Sequence, residues 1–409
     1  MRKGKEKGME GAVRSIDAKV LEEARRLREE IHRNPELSRC EHQTAKLVAD
    51  TLRRYKFDEV KTGLAGTGVL GLLKGHKRGS TVALRAEMDA LPVQEKTGLP
   101  YASQIPGRMH ACGHDGHVAI LLGAARVLSG MRDRFTGHIK FVFQPAEEAF
   151  GGARQLVCEG LLKESPTISA IFALHGRPQI DLGQIELDEV PNAASNAFEI
   201  RIRGKGAHAA YPHNGVDPIT IGCQVVSCLQ QIVSRQVAPY QAAVVTVGSF
   251  RAGEQGNVIP EEAVLKGTIR TRDPRVNKQA VASVRRIAKG CSQALGAKAQ
   301  VRIEIGYPRV RNHRGLMGLV RQVGVELLGE RNVLDAKDAT MGAEDFAFYL
   351  EEQGGVPGCM FRLGLATNVP VHTGDFDFGH EPLECGILMM INVALRFLAN
   401  PKAWIQENP

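Results

Sequence analysis

The pattern of apolar and polar positions changes character near residue 190. Before that point, helical periodicity over 16–32, 43–55 and 115–128 alternates with short apolar runs at 81–84, 139–143 and 168–174. Such runs are typical of buried strands. Strands that alternate with helices predict an α/β domain with a mostly parallel sheet flanked by helices.

Beyond residue 190, the order of predicted elements becomes β-α-β-β-α-β, as in ferredoxin-like folds. The strands are expected at 196–203, 243–250, 263–271 and 299–305, and the helices at 217–236 and 273–295. The α/β pattern resumes with a helix over 315–328. The sequence therefore predicts an inserted α+β domain over 192–306 in an α/β domain made of 1–191 and 307–409, with residues 1–15 as a loose tail.

Composition agrees with a globular chain of two domains. The 409 residues are 43% hydrophobic and 24% charged, which excludes a disordered or fibrous protein. The apolar run from Val118 is interrupted by Gly123 and Arg126, so it is too short to span a bilayer, and the basic N-terminus has no apolar run behind it. Eight scattered cysteines without a Cys-x-x-Cys pair indicate a reducing compartment. We therefore expect a cytoplasmic protein with no membrane partner.

The net charge of +8 raises the question of nucleic-acid binding. The basic residues are spread thinly, however, and aromatic residues make up only 5% of the chain. Few side chains are thus available to stack on bases. No nucleic-acid partner is expected.

Three predicted strands are followed by residues that can bind metals or move protons. Strand 81–84 leads to Glu87 and Asp89, strand 139–143 to Glu147 and Glu148, and strand 168–174 to His175. In open α/β sheets, ligands bind beyond the carboxyl ends of the strands. These side chains are therefore expected at one edge of the sheet.

A fourth segment, HACGHDGH at 110–117, carries the densest set of such residues. Cys112 and His114 can place a thiolate and an imidazole on one ion, and the start of a helix favours the thiolate. A Cys–His nucleophilic pair and a buried structural cysteine are the alternatives for this segment.

A fifth segment, HTGDFDF at 372–378, completes the set. The candidate ligands are Cys112, His114, Glu148, His175 and His372. Five ligands exceed what one tetrahedral ion needs, and two ions about 3.5–4 Å apart fit better. Glu147, next to a ligand, is then the natural general base.

These segments together resemble the amidohydrolase branch of the dinuclear-metal peptidase superfamily, which includes hippurate hydrolase, N-acyl-amino-acid amidohydrolases and indoleacetyl-amino-acid hydrolases. The resemblance extends over about 16–400. The matching stretches are HRNPELS (32–38), ALRAEMDALPVQE (83–95), MHACGHDGH (109–117), FQPAEE (143–148), LHGRP (174–178), GKGAHAAYPHNGVDP (204–218), GNVIPEEA (256–263), MGAEDFAFYL (341–350) and HTGDFDF (372–378).

The resemblance implies that the five candidate ligands hold two divalent ions and that Glu147 is the base. It implies that 192–306 is a lid that forms a homodimer, while the rest of the chain is the catalytic metallohydrolase domain. His208 is implied to contact substrate in the partner's site, and Asn257 to bind the substrate carboxylate; a turn His and a turn Asn are the alternatives. Asp89 is expected to orient a ligand from behind.

Three positions depart from the usual family pattern. Glu87 stands where relatives more often have Asp, so its contact with the site is expected to be reshaped. Gly176-Arg177 and Thr373-Gly374 also differ from many relatives, and we expect these positions to line the acyl pocket. The substrate of no single relative is therefore transferred to this chain.

The predicted activity is the metal-dependent hydrolysis of N-acyl amino acids of the N-acetyl, N-benzoyl or indoleacetyl type. Zinc best suits thiolate and imidazole ligands, and manganese, cobalt and nickel also fit. A dipeptidase or carboxypeptidase on the same scaffold stays open as an alternative, as does a binding protein with an inactive site.

Overall fold

The computed structural model describes residues 12–149, 151–338 and 340–406. The chain divides into two compact units. Unit 1 contains Met1–Pro191, Arg311–Lys337 and Phe348–Pro409, and unit 2 contains Asn192–Val310 and Asp338–Ala347. Unit 2 begins where the sequence changes character, and it also takes in a later segment that the sequence did not indicate.

Helices and strands are numbered along the chain. The helices are α1 (Ala18–Arg33), α2 (His42–Arg54), α3 (His114–Ser129), α4 (Gly152–Cys158), α5 (Pro218–Gln231), α6 (Pro274–Ala294), α7 (Arg314–Leu328), α8 (Pro382–Ala399) and α9 (Pro401–Ile405). The strands are β1 (Glu59–Leu64), β2 (Gly68–Lys74), β3 (Thr81–Glu87), β4 (His138–Gln144), β5 (Ile168–Arg177), β6 (Ile185–Leu187), β7 (Ala194–Arg203), β8 (Ala207–His208), β9 (Ala243–Ala252), β10 (Val258–Ile259), β11 (Glu262–Thr271), β12 (Lys298–Ile305), β13 (Val333–Asp335) and β14 (Gly358–Gly364).

Unit 1 is built on an eight-stranded sheet with the order β1-β2-β4-β3-β5-β14-β6-β13. Its centre, β4-β3-β5-β14, is parallel, as the apolar runs at 81–84, 139–143 and 168–174 predicted. Strand β2 pairs antiparallel with both β1 and β4, and β6 pairs antiparallel with β14. Strand β13 pairs parallel with β6, so four of the seven neighbouring pairs are parallel. The sheet is therefore mixed, with the predicted parallel centre, and its antiparallel pairs come from a hairpin and a reversed connection that periodicity does not reveal.

Helix α8 is the largest element of unit 1 that the sequence analysis missed. Among the described residues it is the single helix long and apolar enough to cross a membrane, and 78% of that stretch is buried inside the protein. Its residues, from Leu383 to Leu398, belong to the main hydrophobic core together with α3 and the central strands. Core packing thus accounts for its apolar sequence.

The N-terminal prediction needs a correction. Residues 1–11 of the expected loose tail lie outside the described residues. Of the rest, Val13 is fixed to α8: its backbone N–H donates to Asn392 Oδ1 at 3.0 Å, and Asn392 Nδ2 donates to its carbonyl at 2.9 Å. Val13 is ordered because the amide of Asn392, which is fully buried, needs hydrogen-bond partners.

Unit 2 has a four-stranded antiparallel sheet with the order β12-β7-β11-β9. Helices α5 and α6 contribute their apolar residues to a separate core that includes Phe198, Val225 and Leu265. Asp217 and Asp273 cap these helices at their first turns, as the Asp-Pro pairs predicted. Helix α5 ends at Gln231 and continues as a π-turn over Ile232–Gln236.

Candidate functional site

Cys112 and His114 lie at the start of α3, on either side of Gly113. Gly113 has φ +84°, and a Cβ added there would stand 2.7 Å from the Phe378 ring. Only glycine suits this turn, because an L side chain would be both strained and obstructed. The turn brings the donor atoms of Cys112 and His114 within 4.8 Å of one another and of His175.

The five predicted ligands meet at this place. Cys112 Sγ lies 3.5 Å from His175 Nε2, and Glu148 Oε1 lies 3.9 Å from His114 Nε2 and 3.4 Å from His372 Nε2. Donor atoms of Cys112, Glu148 and His372 form a second group within 4.8 Å. Two overlapping sets of donors thus lie side by side.

The hydrogen bonding of these side chains leaves donors suited to a cation. His114 Nδ1 donates to the Asp89 carbonyl at 2.8 Å, and His175 Nδ1 donates to the Gly176 carbonyl at 2.8 Å. Each ring therefore keeps the lone pair of Nε2. Among the described residues, His114 Nε2 and Glu148 Oε1 are buried without a hydrogen-bond partner. Buried polar atoms of this kind need a partner, and a divalent metal fits them.

Without a cation, the electrostatics of the site favour the protonated form of two of these side chains, Cys112 and His114. Burial raises the pKa of the Cys112 thiol well above its usual value, and the Glu148 carboxylate adds to this. Burial also lowers the pKa of His175. Burial opposes the charged form of His114, but the hydrogen bond to Asp89 and the charge of Glu87 raise its pKa to about 10. A coordinated cation would reverse the bias at Cys112, because metal-bound thiols are deprotonated.

A strained turn carries Glu147 and Glu148. The preceding Ala146 has φ +56°, which is uncommon for a residue with a side chain and costs about 1–3 kcal/mol. The fully buried Glu41 carboxylate holds the turn, since its Oε1 accepts a hydrogen bond from the Ala146 N–H at 2.8 Å. Glu147 is 7% exposed, and its carboxylate lies within 4.8 Å of the donor atoms of His114 and Glu148.

His372 is the most exposed of the five predicted ligands, with 51% of its side chain accessible. Its φ is +66°, and its N–H donates to the Ala111 carbonyl at 2.7 Å. The segment that follows is tied down by Arg28, which is fully buried and pairs with both Asp115 and Asp377. The loop that carries His372 is thereby fixed to α1 and α3.

Asp89 contacts two of these segments from behind. Its Oδ2 accepts hydrogen bonds from the Glu148 N–H at 2.9 Å and from Ser38 Oγ at 2.7 Å, and its Oδ1 lies 3.3 Å from His114 Nδ1. This is the place expected of a residue that orients ligands.

Sequence reasoning missed the roles of Ser38, Glu41 and Arg28. Ser38 at least lies within the HRNPELS stretch, but nothing in the sequence marked Glu41 or Arg28 as more than surface charges.

The three departures have defined contacts. Glu87 pairs with Arg85 and accepts a hydrogen bond from His117. Arg177 pairs with Glu186 at 2.9 Å. Thr373 Oγ1 donates to the Pro370 carbonyl at 2.7 Å. That these positions line an acyl pocket stays a prediction.

In unit 2, the predicted substrate residues His208 and Asn257 lie together. His208 is in β8, which pairs with β10, and the Asn257 carbonyl accepts a hydrogen bond from the Ala209 N–H at 3.0 Å. Both residues are exposed, and both line a cavity of about 430 Å³. The structure thus brings this pair together, as it does the five ligands.

Comparison with known proteins decides the family. The profile of peptidase family M20/M25/M40 matches residues 83–396. The chain belongs to this family. The match confirms the predicted resemblance and the prediction of a hydrolase that acts on amide bonds.

Individual relatives cover nearly the whole chain. An N-acetyl-L-cysteine deacetylase of Bacillus subtilis is 41% identical over 383 residues, covering 93% of this chain and 88% of the relative. A thermostable carboxypeptidase 2 of Saccharolobus solfataricus is 36% identical over 381 residues, covering 91% of this chain and 94% of the relative.

A solved structure agrees. The YXEP protein of Bacillus subtilis, described as a dinuclear metal-binding peptidase of the M20 family, matches with a TM-score of 0.82 and 33% identity. The match covers 94% of this chain and 99% of that protein.

Proposed function

We propose that this protein is a metal-dependent amidohydrolase that cleaves N-acyl amino acids to a carboxylate and a free amino acid. The observation that carries the proposal is the cluster of Cys112, His114, Glu148, His175 and His372 beside the buried Glu147. The similarity to a deacetylase of an N-acyl amino acid supports this substrate class.

Two divalent ions fit the five donor side chains, and the similarity to a dinuclear metal-binding peptidase supports this number. When bound, such ions supply Lewis-acid polarisation of the amide carbonyl. Thiolate and imidazole donors favour zinc, and manganese, cobalt and nickel also suit the mixed set with a carboxylate.

Glu147 moves the proton in this reaction. Its carboxylate accepts a proton from the attacking water and later delivers it to the amine that leaves. The strained turn at Ala146 fixes its direction, so little reorganisation is needed at the moment of proton transfer. Asp89 holds His114 and the Glu148 backbone in place meanwhile.

Unit 2 supplies the contacts to the rest of the substrate. His208 donates to the developing oxyanion, and Asn257 binds the carboxylate of the amino acid. We infer that the protein is a homodimer through the domain predicted over 192–306 and that His208 acts in the site of the partner subunit. Cytoplasmic location, inferred from the sequence, belongs to the same proposal.

A peptidase activity is the second candidate, because the chain is also similar to a carboxypeptidase. One assay separates the two: metal-loaded protein is tested on N-acetyl, N-benzoyl and indoleacetyl amino acids, and on dipeptides with a free amino group. We expect turnover of the acylated series that chelation abolishes and divalent metal restores. Turnover of the free-amine series alone would make the protein a peptidase, and no turnover in either would indicate an inactive binding protein.

A Cys–His nucleophile is disfavoured, because it would leave Glu147, Glu148 and His372, which lie in the same cluster, without a role. Activity that persists in metal-free protein but is lost on thiol alkylation would contradict the metal-dependent proposal.

A further inference from the structure

His117 is a buried imidazole that the proposed reaction does not use. It is 1% exposed and lies one turn beyond His114 on α3. Its Nε2 accepts a hydrogen bond from the Gly176 N–H at 2.9 Å, so its ring proton lies on Nδ1, which donates to Glu87 Oε2 at 2.9 Å. Both nitrogens are occupied, and no lone pair is left for a metal. His117 is therefore close to the ligands without being one.

The contact at Gly176 is important because this residue directly follows the ligand His175. The Gly176 carbonyl accepts the Nδ1 proton of His175 at 2.8 Å, which leaves His175 Nε2 facing Cys112 Sγ at 3.5 Å. A Cβ at Gly176 would stand 2.8 Å from the Phe378 ring, so the backbone lies in a closely packed place. The position of the Gly176 peptide thus determines which nitrogen of His175 faces the donor cluster, and at what angle.

Glu87 fixes His117 in turn. It is fully buried at the end of β3 and pairs with Arg85 on the same strand. Arg85 Nε donates to Gln144 Oε1 at 2.8 Å at the end of β4. A continuous series of contacts therefore joins the ends of β3 and β4 to His117 on α3, and through it to β5.

We propose that His117, held by Glu87, is a positioning residue for His175. It fixes the Gly176 backbone and so the direction of the His175 ring toward one of the two ions. This inference rests on the proposed function, in which His175 is a metal ligand. It also gives a purpose to Glu87, whose carboxylate is directed to His117 in this chain.

The test compares His117→Phe with His117→Gln by titrating metal-free protein with Co²⁺, followed by calorimetry and by visible absorption. The phenylalanine variant keeps an aromatic ring, though a larger one, and loses both hydrogen bonds. We expect its affinity for one of the two ions to fall about 10- to 100-fold, the usual cost of losing a contact behind a metal ligand. The glutamine variant can still accept a hydrogen bond from the Gly176 N–H, and we expect it to recover part of that affinity.

His313→Phe is the matched control. His313 is also a buried histidine of unit 1, and its ring accepts a hydrogen bond from the Leu316 N–H at the start of α7. We expect the loss of this hydrogen bond to lower the Tm. Because His313 does not contact the proposed metal ligands, both Co²⁺ affinities should stay at the wild-type value. If His117→Phe binds both ions as tightly as wild type, or loses no more affinity than this control, the proposal is overturned.

Two further results keep the outcome decisive. If His117→Phe does not fold, NMR of the histidine nitrogens in cadmium-loaded wild-type protein replaces it: we expect a His117 proton on Nδ1, and a coupling from cadmium to His117 would overturn the proposal. A wild-type protein that binds no divalent ion would refute the proposed function itself. If wild-type protein binds two ions and hydrolyses substrate, and His117→Phe binds both ions with wild-type affinity, only the positioning role is refuted.

Discussion

The two groups of proposed functional residues lie in opposite surroundings. Cys112, His114 and Glu147 are buried in unit 1, and the segments that carry the donor cluster are fixed by buried side chains such as Asp89 and Glu41. His208 and Asn257 are exposed in unit 2 beside a short strand pair, where the Ala209 N–H donates to the Asn257 carbonyl.

This difference separates two kinds of function. A largely buried site whose segments are held by buried hydrogen bonds is preorganised, so its donors need little rearrangement when charge develops during the reaction. Exposed side chains stay mobile in the free protein. Ordering them when substrate binds costs free energy, which lowers the affinity gained from each contact. We therefore expect substitutions in the first group to have larger effects on turnover than those in the second.

The largest expected effect is that of Glu147→Gln. The change removes the proton acceptor and keeps the shape, so kcat should fall by at least about 10²-fold. Metal content, measured by atomic emission, should stay near the wild-type value because Glu147 is not a proposed ligand.

Glu189→Gln is the control for this variant, since Glu189 is a partly exposed carboxylate that pairs with Arg311 and Arg314. Its kcat should equal that of wild type. Near-normal turnover in metal-replete Glu147→Gln protein would assign the base to another residue.

The next effect is that of His208→Ala. We expect it to retain both ions, while kcat/KM falls by about tenfold or more through loss of a donor to the oxyanion. His213→Ala removes a neighbouring exposed imidazole and should have no comparable effect. Equal kinetics for the two variants would remove His208 from the substrate site.

Heterodimers of two inactive variants test whether His208 acts in the site of the partner subunit. If His208 serves the partner subunit, mixing Glu147→Gln with His208→Ala protein under subunit exchange should restore activity at one site of each heterodimer. Heterodimers that mass spectrometry detects but that stay inactive would place His208 in its own subunit's site or outside catalysis.

The smallest expected effect concerns stability rather than rate. Burial opposes protonation of His32, but Asp115 and the hydrogen bond to Glu95 outweigh it and raise its pKa to about 9. A raised pKa stabilises the fold below pH 6.5, and this stabilisation is lost as the pH rises through 9. At about 1.4 kcal/mol for each pKa unit, it is worth up to about 3 kcal/mol of unfolding free energy.

Urea unfolding of wild type and His32→Gln between pH 6 and 10 measures this contribution. The stability gap between the two proteins should be widest near pH 6 and should narrow steadily between pH 6.5 and about 9. His208→Ala, which removes an exposed imidazole, should follow wild type at every pH. A gap that stays constant with pH would show that folding leaves the pKa of His32 unshifted.

The comparison also shows what the sequence can predict. Cys112-x-His114 and Glu147-Glu148 are short motifs, and each lies next to the end of a strand or helix. The ends of parallel strands meet at one edge of the sheet, so the sequence alone was enough to predict that these donors lie together. The β-α-β-β-α-β order of unit 2 was equally visible, because its strands alternate and its helices begin at Asp-Pro pairs.

The residues that support the site were not predictable in this way. Arg28 lies 87 positions from Asp115 and 349 from Asp377, and Glu41 lies 105 from Ala146. A charged residue on an amphipathic helix gives no sign that it will be buried, since its partner is chosen by the tertiary fold. The expected strand end at Leu174 was also wrong: β5 continues to Arg177, so His175 lies within it.

The pairing of β5 with β14 has a consequence for the order of events during synthesis. Residues 168–177 and 358–364 form adjacent parallel strands, although all of Asn192–Val310 is translated between them. The strands of unit 2, β7 to β12, are synthesised before β14. The centre of unit 1 must wait as an incomplete sheet with an open edge at β5, a state in which unpaired strands are prone to aggregate. His372 emerges later still, so the donor cluster is completed only after this residue has left the ribosome.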